Sequence, residues 1–487
     1  MNRVALYNEK WLLKLYLAIL FLGIAAYIST EHYEAFFAPF ALLYIVALAI
    51  NWKAAYWVLL CSLPFSMHLV LQEGALAISL PDEPMMWLFL LLLPVLIATK
   101  PGIIPGWWLK DPLTIIISLQ LIWLAVSVIY SSVLFFSIKF LVAKIWYLAC
   151  FFIFPLWVFR EKADFRRGFL LMLVPMLLTI IVILFRHAAM GFSFMSINVA
   201  IGKLYYNHVE YSTVISMFFP LVCIAYPLSR GTKRWVRLLI LALIVLFVLA
   251  IFLSYARAAI LAVLFAGFIA LFIRLRLVNV IMPLIYIVIT ITVMYMAQNN
   301  NYIALRPNYE RTYMHSGFSD HILATFRGQD MSSMERLYRW IAAVRMSTDR
   351  PIVGYGPHSF YYFYKRYTVN MFRTYVSKND EHSTTHNYFL YMLVEQGWPA
   401  MLLYALLIAA VFAHAQKTYF RFTDRFYKNC TLGLAMTFAA CFVNNFFSEL
   451  LETHKVGAIF YLSIALLIIL GRKSKEISGE VDRPQNY

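Results

Sequence analysis

The sequence predicts an all-α, polytopic integral membrane protein, and three observations carry that reading. Of 487 residues, 62% are hydrophobic and only 13% charged, where a soluble chain of this size carries about 25% charged residues. Mean hydropathy is +0.73. Apolar runs of about twenty residues recur from end to end, each long enough to cross a hydrocarbon core of ~30 Å at ~1.5 Å per residue. The short alternating segments of a transmembrane barrel are absent.

The candidate spans, in order, are 11–28, 35–50, 54–73, 85–99, 113–130, 135–159, 168–187, 210–228, 236–253, 256–274, 278–297, 388–414, 431–447 and 456–471. These fourteen bound the fold at about 12–14 transmembrane helices. The first, in MNRVALYNEKWLLKLYLAILFLGIAAYI, has no small-residue cleavage site and reads as a retained span rather than a removed signal peptide. Charge checks the count. The net charge is +17, from 41 Lys and Arg against 24 Asp and Glu. With the N-terminus inside, the basic connections Arg160–Arg167, Arg230–Arg237, Arg274–Arg276, Lys417–Lys428 and Arg472–Lys475 all fall on the cytoplasmic side. The acidic connections STEHYE and EGALAISLPDE fall outside. Both termini are then cytoplasmic. The chain divides into N-terminal spans (1–297), one large periplasmic loop (298–387), C-terminal spans (388–471) and a cytoplasmic tail (472–487).

The same distribution excludes other classes. Basic residues scattered among short loops suit anionic lipid, not nucleic acid. The five cysteines (Cys61, Cys150, Cys223, Cys430, Cys441) lie in or beside apolar spans with no C-x-x-C pair, so neither disulfide staples nor a zinc ribbon is expected. No repeat or low-complexity tract is visible.

The long external loop runs against the positive-inside bias. Between 298 and 387, eleven Lys and Arg face seven acids, a net of +4. Salt bridges on a solvated loop would account for this; so would a site for an anionic substrate such as a diphosphate. Within the loop, Ser332 and Glu335 form an S-x-x-E capping box at a helix start. Met334, Leu337, Tyr338, Ile341 and Ala342 then make an apolar stripe at helical spacing. Arg336 and Arg339 lie on neighbouring faces of that helix. Pro351 ends it, and Gly354 and Gly356 mark a turn; a lone G-Y-G is too weak for a nucleotide site.

The stretch STTHNYFLYMLVEQGWPA follows. Asn387 suits an N-cap, which leaves His386 at a helix start as either a solvated polar residue or a working one. Glu395, deep in an apolar run, is costly in lipid and is expected to face protein or a water-filled cavity. Gly397-Trp398-Pro399 should interrupt the helix. The expected arrangement is a short helix entered at Asn387, broken near Gly397, with His386 and Glu395 sunk together into an outward-facing cavity. His382 and His386 have the spacing of a helical zinc pair. However, Ser-Thr-Thr between them disfavours a helix and the pattern is not H-E-x-x-H, so no metal is assigned.

Taken together, R-L-x-x-W (Arg336, Leu337, Trp340), P-x-x-G-x-G (Pro351, Gly354, Gly356), H-N-x-x-L (His386, Asn387, Leu390) and E-x-G (Glu395, Gly397) resemble the O-antigen ligase and polymerase superfamily. S-x-x-R (Ser254, Arg257) resembles its other arginine site. Pro399-Ala400 departs from the second glycine that many members carry. The resemblance implies a glycosyltransferase of the bacterial inner membrane that moves a glycan from an undecaprenyl-diphosphate carrier to an acceptor hydroxyl at the periplasmic face. Arg257, Arg336 and Arg339 would bind the diphosphate, His386 would be the general base, and Asn387 and Glu395 would support it. Transfer would invert the anomeric centre and need no cofactor, nucleotide or metal. The acceptor is open between lipid A-core (ligase), the growing glycan (polymerase) and a pilin-type protein. A lipid-linked sugar flippase is the alternative of a different class, and should show inverted repeats.

Overall fold

The computed structural model describes residues 33–72, 76–307, 331–374, 377–378 and 384–480, so the predicted span at 11–28 lies outside the described residues. In a bilayer every backbone polar group must be met within the chain, and the apolar runs accordingly fold as helices. In order these are α1 (Tyr33–Ser62), α2 (Asp82–Thr99), α3 (Pro112–Ile129), α4 (Leu134–Leu148), α5 (Lys162–Ala189), α6 (His208–Leu228), α7 (Arg234–Leu253), α8 (Arg257–Arg274), α9 (Val278–Ala297), α10 (Met331–Ser347), α11 (Tyr388–Arg421), α12 (Arg425–Phe446) and α13 (His454–Ile477). All but α10 are long and apolar enough to cross a membrane, twelve among the described residues. The all-α, polytopic architecture is therefore as predicted.

The count differs from fourteen for physical reasons. One predicted span lies outside the described residues, and 35–50 and 54–73 share α1, which bends at Asn51 (φ −149°, ψ 82°). The latter prediction also overruns. Pro64 opens a short 3-10 turn, and Met67–Gln72 then pairs antiparallel with Leu76–Leu80 as a hairpin, β1–β2. Polar groups at the start of α13 hold it: His454 Nε2 lies 3.2 Å from Ser66 Oγ and Nδ1 lies 3.1 Å from Ser79 Oγ. Lys455 Nζ donates to the Ser66 carbonyl at 2.9 Å.

By sequence α13 is merely the last span, but it is the central post of the bundle. Its whole apolar window is buried, against 6% for α9, whose surface faces outward. Small residues set the closest packing. Ala259, Ala262, Ala266 and Ala270 line the buried face of α8 against α12, which answers with Ala435, Ala439 and Ala440.

The segment between α9 and α11 has its own small core among the described residues. The predicted stripe holds: Tyr338, Ile341, Ala342 and Met346 of α10 pack with Tyr355, Phe360, Tyr364 and Phe372, and with Val394 of α11. The predicted capping box does not form. Ser332 is already inside α10, and the Glu335 carboxylate accepts hydroxyl protons from Thr374 and Ser377 instead.

The expected interruption of α11 is present at Gly397 (φ 79°, ψ 177°). It leaves carbonyls of the first arm without helical partners, and the loop after α10 supplies them. Tyr355 N–H donates to the Val394 carbonyl at 3.0 Å and Gly356 N–H to the Glu395 carbonyl at 2.9 Å. Trp123 Nε1, from α3, donates to the Gln396 carbonyl at 2.8 Å. Beyond the break, Trp398 N–H donates back to the Pro351 carbonyl at 2.9 Å. This approach requires glycine: a Cβ on Gly397 would sit 1.9 Å from the Ile352 carbonyl oxygen. Gly397→Ala should therefore cost at least ~2 kcal/mol, strain and collision together. Gly102→Ala is the control, because Gly102 is also left-handed (φ 80°) but has nothing near its missing Cβ. Thermal unfolding of the two variants in the same detergent measures the difference; equal losses would refute the interlock.

Candidate functional site

The site begins with three consecutive residues. Asn387 caps α11, its Oδ1 accepting from Leu390 N–H at 3.1 Å, as predicted, while its Nδ2 donates to the Phe446 carbonyl at 3.0 Å. Thr385 Oγ1 donates to the Asn387 carbonyl at 2.9 Å. Held between them, His386 takes a left-handed conformation (φ 51°), one that histidine visits more readily than most residues. Its ring meets the turn after α12, where Nδ1 lies 3.6 Å from Glu449 Oε2.

That turn is fastened from several sides. Asn445 Oδ1 accepts from Leu451 N–H at 2.7 Å, and Ser448 Oγ donates to the Asn444 carbonyl at 2.8 Å. Glu452 receives Lys144 Nζ on both oxygens, at 2.8 and 2.6 Å, together with the Tyr388 hydroxyl. A buried ion pair is worthwhile only with such matched geometry. Because Tyr388 lies in the first turn of α11, Glu452 locks the His386 strand of chain to the turn that carries Glu449.

The arginines come from α10. Arg336 lies over the Phe447 ring at 5.9 Å, and Trp340, one turn on, meets Phe446 edge-on at 6.3 Å. Arg339 is buried, with Nη2 3.6 Å from Glu335 Oε2, while its Nε and Nη1 have no hydrogen-bond partner among the described residues. Arg257 opens α8. The far end of α8 lies near the start of α12, where Arg276 stacks on Phe420 at 4.2 Å, so α8 and α12 run antiparallel. Arg257 is thereby carried to the same end of the bundle as Phe446 and Glu449.

Electrostatics set the protonation of His386. Loss of surrounding water pushes its pKa down to about 4; Glu449 opposes this, and the charges of Arg339 and Arg336 add to it. The imidazole is thus neutral at pH 7 and able to accept a proton, although its side chain keeps 32% exposure towards the open side of the site.

Glu395 does not join this group. It is fully buried, and its carboxylate accepts the backbone N–H groups of His358 at 2.6 Å and Phe360 at 3.2 Å. The expected cavity shared with His386 is therefore corrected for Glu395, which instead holds the G-Y-G-P-H loop in place. Three residues were missed by the sequence reading. Glu449 and Glu452 lie in SELLETHK, a polar run between two spans that could have been flagged as was the run at 383–400. His358 is the third: burial pushes its ring towards the neutral form, and Glu452 and Glu449 lie near enough to oppose that. His382 lies outside the described residues, and among the described residues no group of three or more His, Cys, Asp or Glu could hold a metal ion.

The family model described as O-antigen ligase matches residues 241–405. The matched stretch holds Arg257, Arg336, Arg339, His386, Asn387 and Glu395, and ends before Glu449. The family is thus the one that the motifs resemble. No curated protein matches the chain.

The protonation state can be checked directly. Because the folded pKa lies below the ordinary 6.5, the unfolded chain takes up this proton first, so His386 lowers stability as pH falls from about 6.5 towards 4. Nitrogen NMR of histidine-labelled protein should find a neutral ring at about pH 5.5, and Arg339→Gln should raise the midpoint. A ring already charged at about pH 6 would contradict this assignment.

Proposed function

From the match of residues 241–405 to the O-antigen ligase family model and the site around His386, we propose that this chain is an inverting glycosyltransferase. It moves a glycan from an undecaprenyl-diphosphate carrier to a hydroxyl of lipid A-core at the periplasmic face of the bacterial inner membrane. The observation that carries this reading is a neutral histidine backed by a carboxylate at 3.6 Å and flanked by two arginines.

The residue types suit the reaction. The acceptor hydroxyl attacks the anomeric carbon and forms the new C–O bond, while His386 Nε2 takes its proton. The old bond to the diphosphate breaks with its electron pair on the departing oxygen, and direct displacement inverts the carbon. Glu449, facing Nδ1, orients the ring and balances the imidazolium as it forms. Arg336, Arg339 and Arg257 neutralise the leaving diphosphate, for which a guanidinium fork in a dry site is well matched. Diphosphate is already a good leaving group, so the scheme uses no nucleotide or metal.

A clean deletion complemented with variants, followed by gels of lipopolysaccharide and carrier-linked glycan, tests this. His386→Ala should lower transfer about 10²–10⁴-fold, the usual worth of a general base. Long chains left on the carrier identify the ligase; single repeat units would point to a polymerase instead. Full complementation by His386→Ala, Arg257→Ala and Arg336→Ala at normal expression would sink the site.

A further inference from the structure

One cavity lies well away from His386. It lies at the other end of α11, roughly 40 Å along the helix at ~1.5 Å per residue, and encloses about 900 Å³. Lys110, Arg276, Lys417, Arg421, Arg472 and Lys475 all line it. The one acid in the lining, Asp111, is occupied: it caps α3 by accepting Leu113 N–H at 2.9 Å. Two cations have acidic partners, Arg421 with Glu480 at 3.2 Å and Arg472 with Glu476 at 3.0 Å. Lys110, Arg276, Lys417 and Lys475 make no ion pair among the described residues.

The positive-inside rule puts basic residues at this end of the spans, but it does not require them to converge. Here four elements that are distant in sequence bring their cations to one hollow: the starts of α3 and α9 and the ends of α11 and α13. Crowding like charges is unfavourable even in water, and more so beside apolar walls. Two of the guanidiniums lie over aromatic rings, Arg276 over Phe420 at 4.2 Å and Arg472 over Trp107 at 5.4 Å. Leu113, Ala410 and Ala413 continue the wall in apolar form towards the middle of the bundle. Polybasic hollows with such walls suit a phosphate on a lipid.

We propose that this cavity is a second anion site, separate from the catalytic one, that binds the phosphate headgroup of an anionic membrane lipid from the leaflet at this end. The proposal stands whether or not the chain is a glycan transferase.

The test uses the full chain in nanodiscs of phosphatidylcholine, with or without phosphatidylglycerol, and with or without added inorganic diphosphate. Lipid retained after extraction into neutral detergent is counted by native mass spectrometry. Wild type should retain phosphatidylglycerol at least about fivefold more than Lys417→Gln/Lys475→Gln, while Lys417→Arg/Lys475→Arg keeps the wild-type level. The arginine pair also controls for folding, since it changes the same two positions. Binding of diphosphate but not of phosphatidylglycerol, lost in the glutamine pair, would support the anion site and overturn its lipid source. Retention that is equal in the wild type, the glutamine pair and the arginine pair would overturn the proposal.

Discussion

The broken helix at Gly397 is the constraint on which the end of the molecule carrying His386 depends. A carbonyl left unmet in an apolar setting costs several kcal/mol, so a helix can stop at membrane level only where something else meets its end. Here that something is the P-x-x-G-x-G loop, which donates two backbone N–H groups and accepts one, with the Trp123 indole as a further donor. The Glu395 carboxylate completes the exchange by taking two N–H groups of the same loop. The glycines are needed for closeness as much as for their dihedral angles, since a Cβ on Gly354 would lie 2.4 Å from the Glu395 carbonyl carbon.

From this joint the site follows. The loop is held against the first arm of α11, and α10 packs on the same arm through Val394. The arginines of α10 and His386 at the head of α11 are therefore fixed relative to each other by one small core. The other half of the site comes from elsewhere: the turn carrying Glu449 is pinned by Lys144 and Tyr388 through Glu452. A neutral histidine with a carboxylate behind it and guanidiniums beside it is the result, and each partner sits on an element that something else holds.

Much of this was legible in the sequence, and the failures are instructive. Span periodicity, the Asn387 cap, the stripe of α10 and the Gly397 break are local features, and local chemistry decides them. The hairpin at 67–80 was hidden because an apolar run with little polar interruption reads alike as strand or helix end; distant partners settle it, Lys203 through its carbonyl and His454 and Lys455 almost four hundred residues away. Ser332 and Glu335 met a local rule that a tertiary partner overrode, because the hydroxyls of Thr374 and Ser377 compete for the carboxylate. His358 was missed for the same reason, since nothing near it in sequence marks it; Glu449 sits in a polar run that marks the turn, but its place beside His386 is set by the fold.

The capped break also bears on how the chain is assembled. A nascent α11 cannot complete its backbone hydrogen bonds until residues 351–356 arrive from outside the bundle. Packing of α11 in the bundle and folding of the loop between α10 and α11 are thus coupled through these bonds. α13, the most enclosed span among the described residues, gives that coupled unit its central support. A fault in the loop would therefore reach the seating of α11 in the bundle as well as the site at its head.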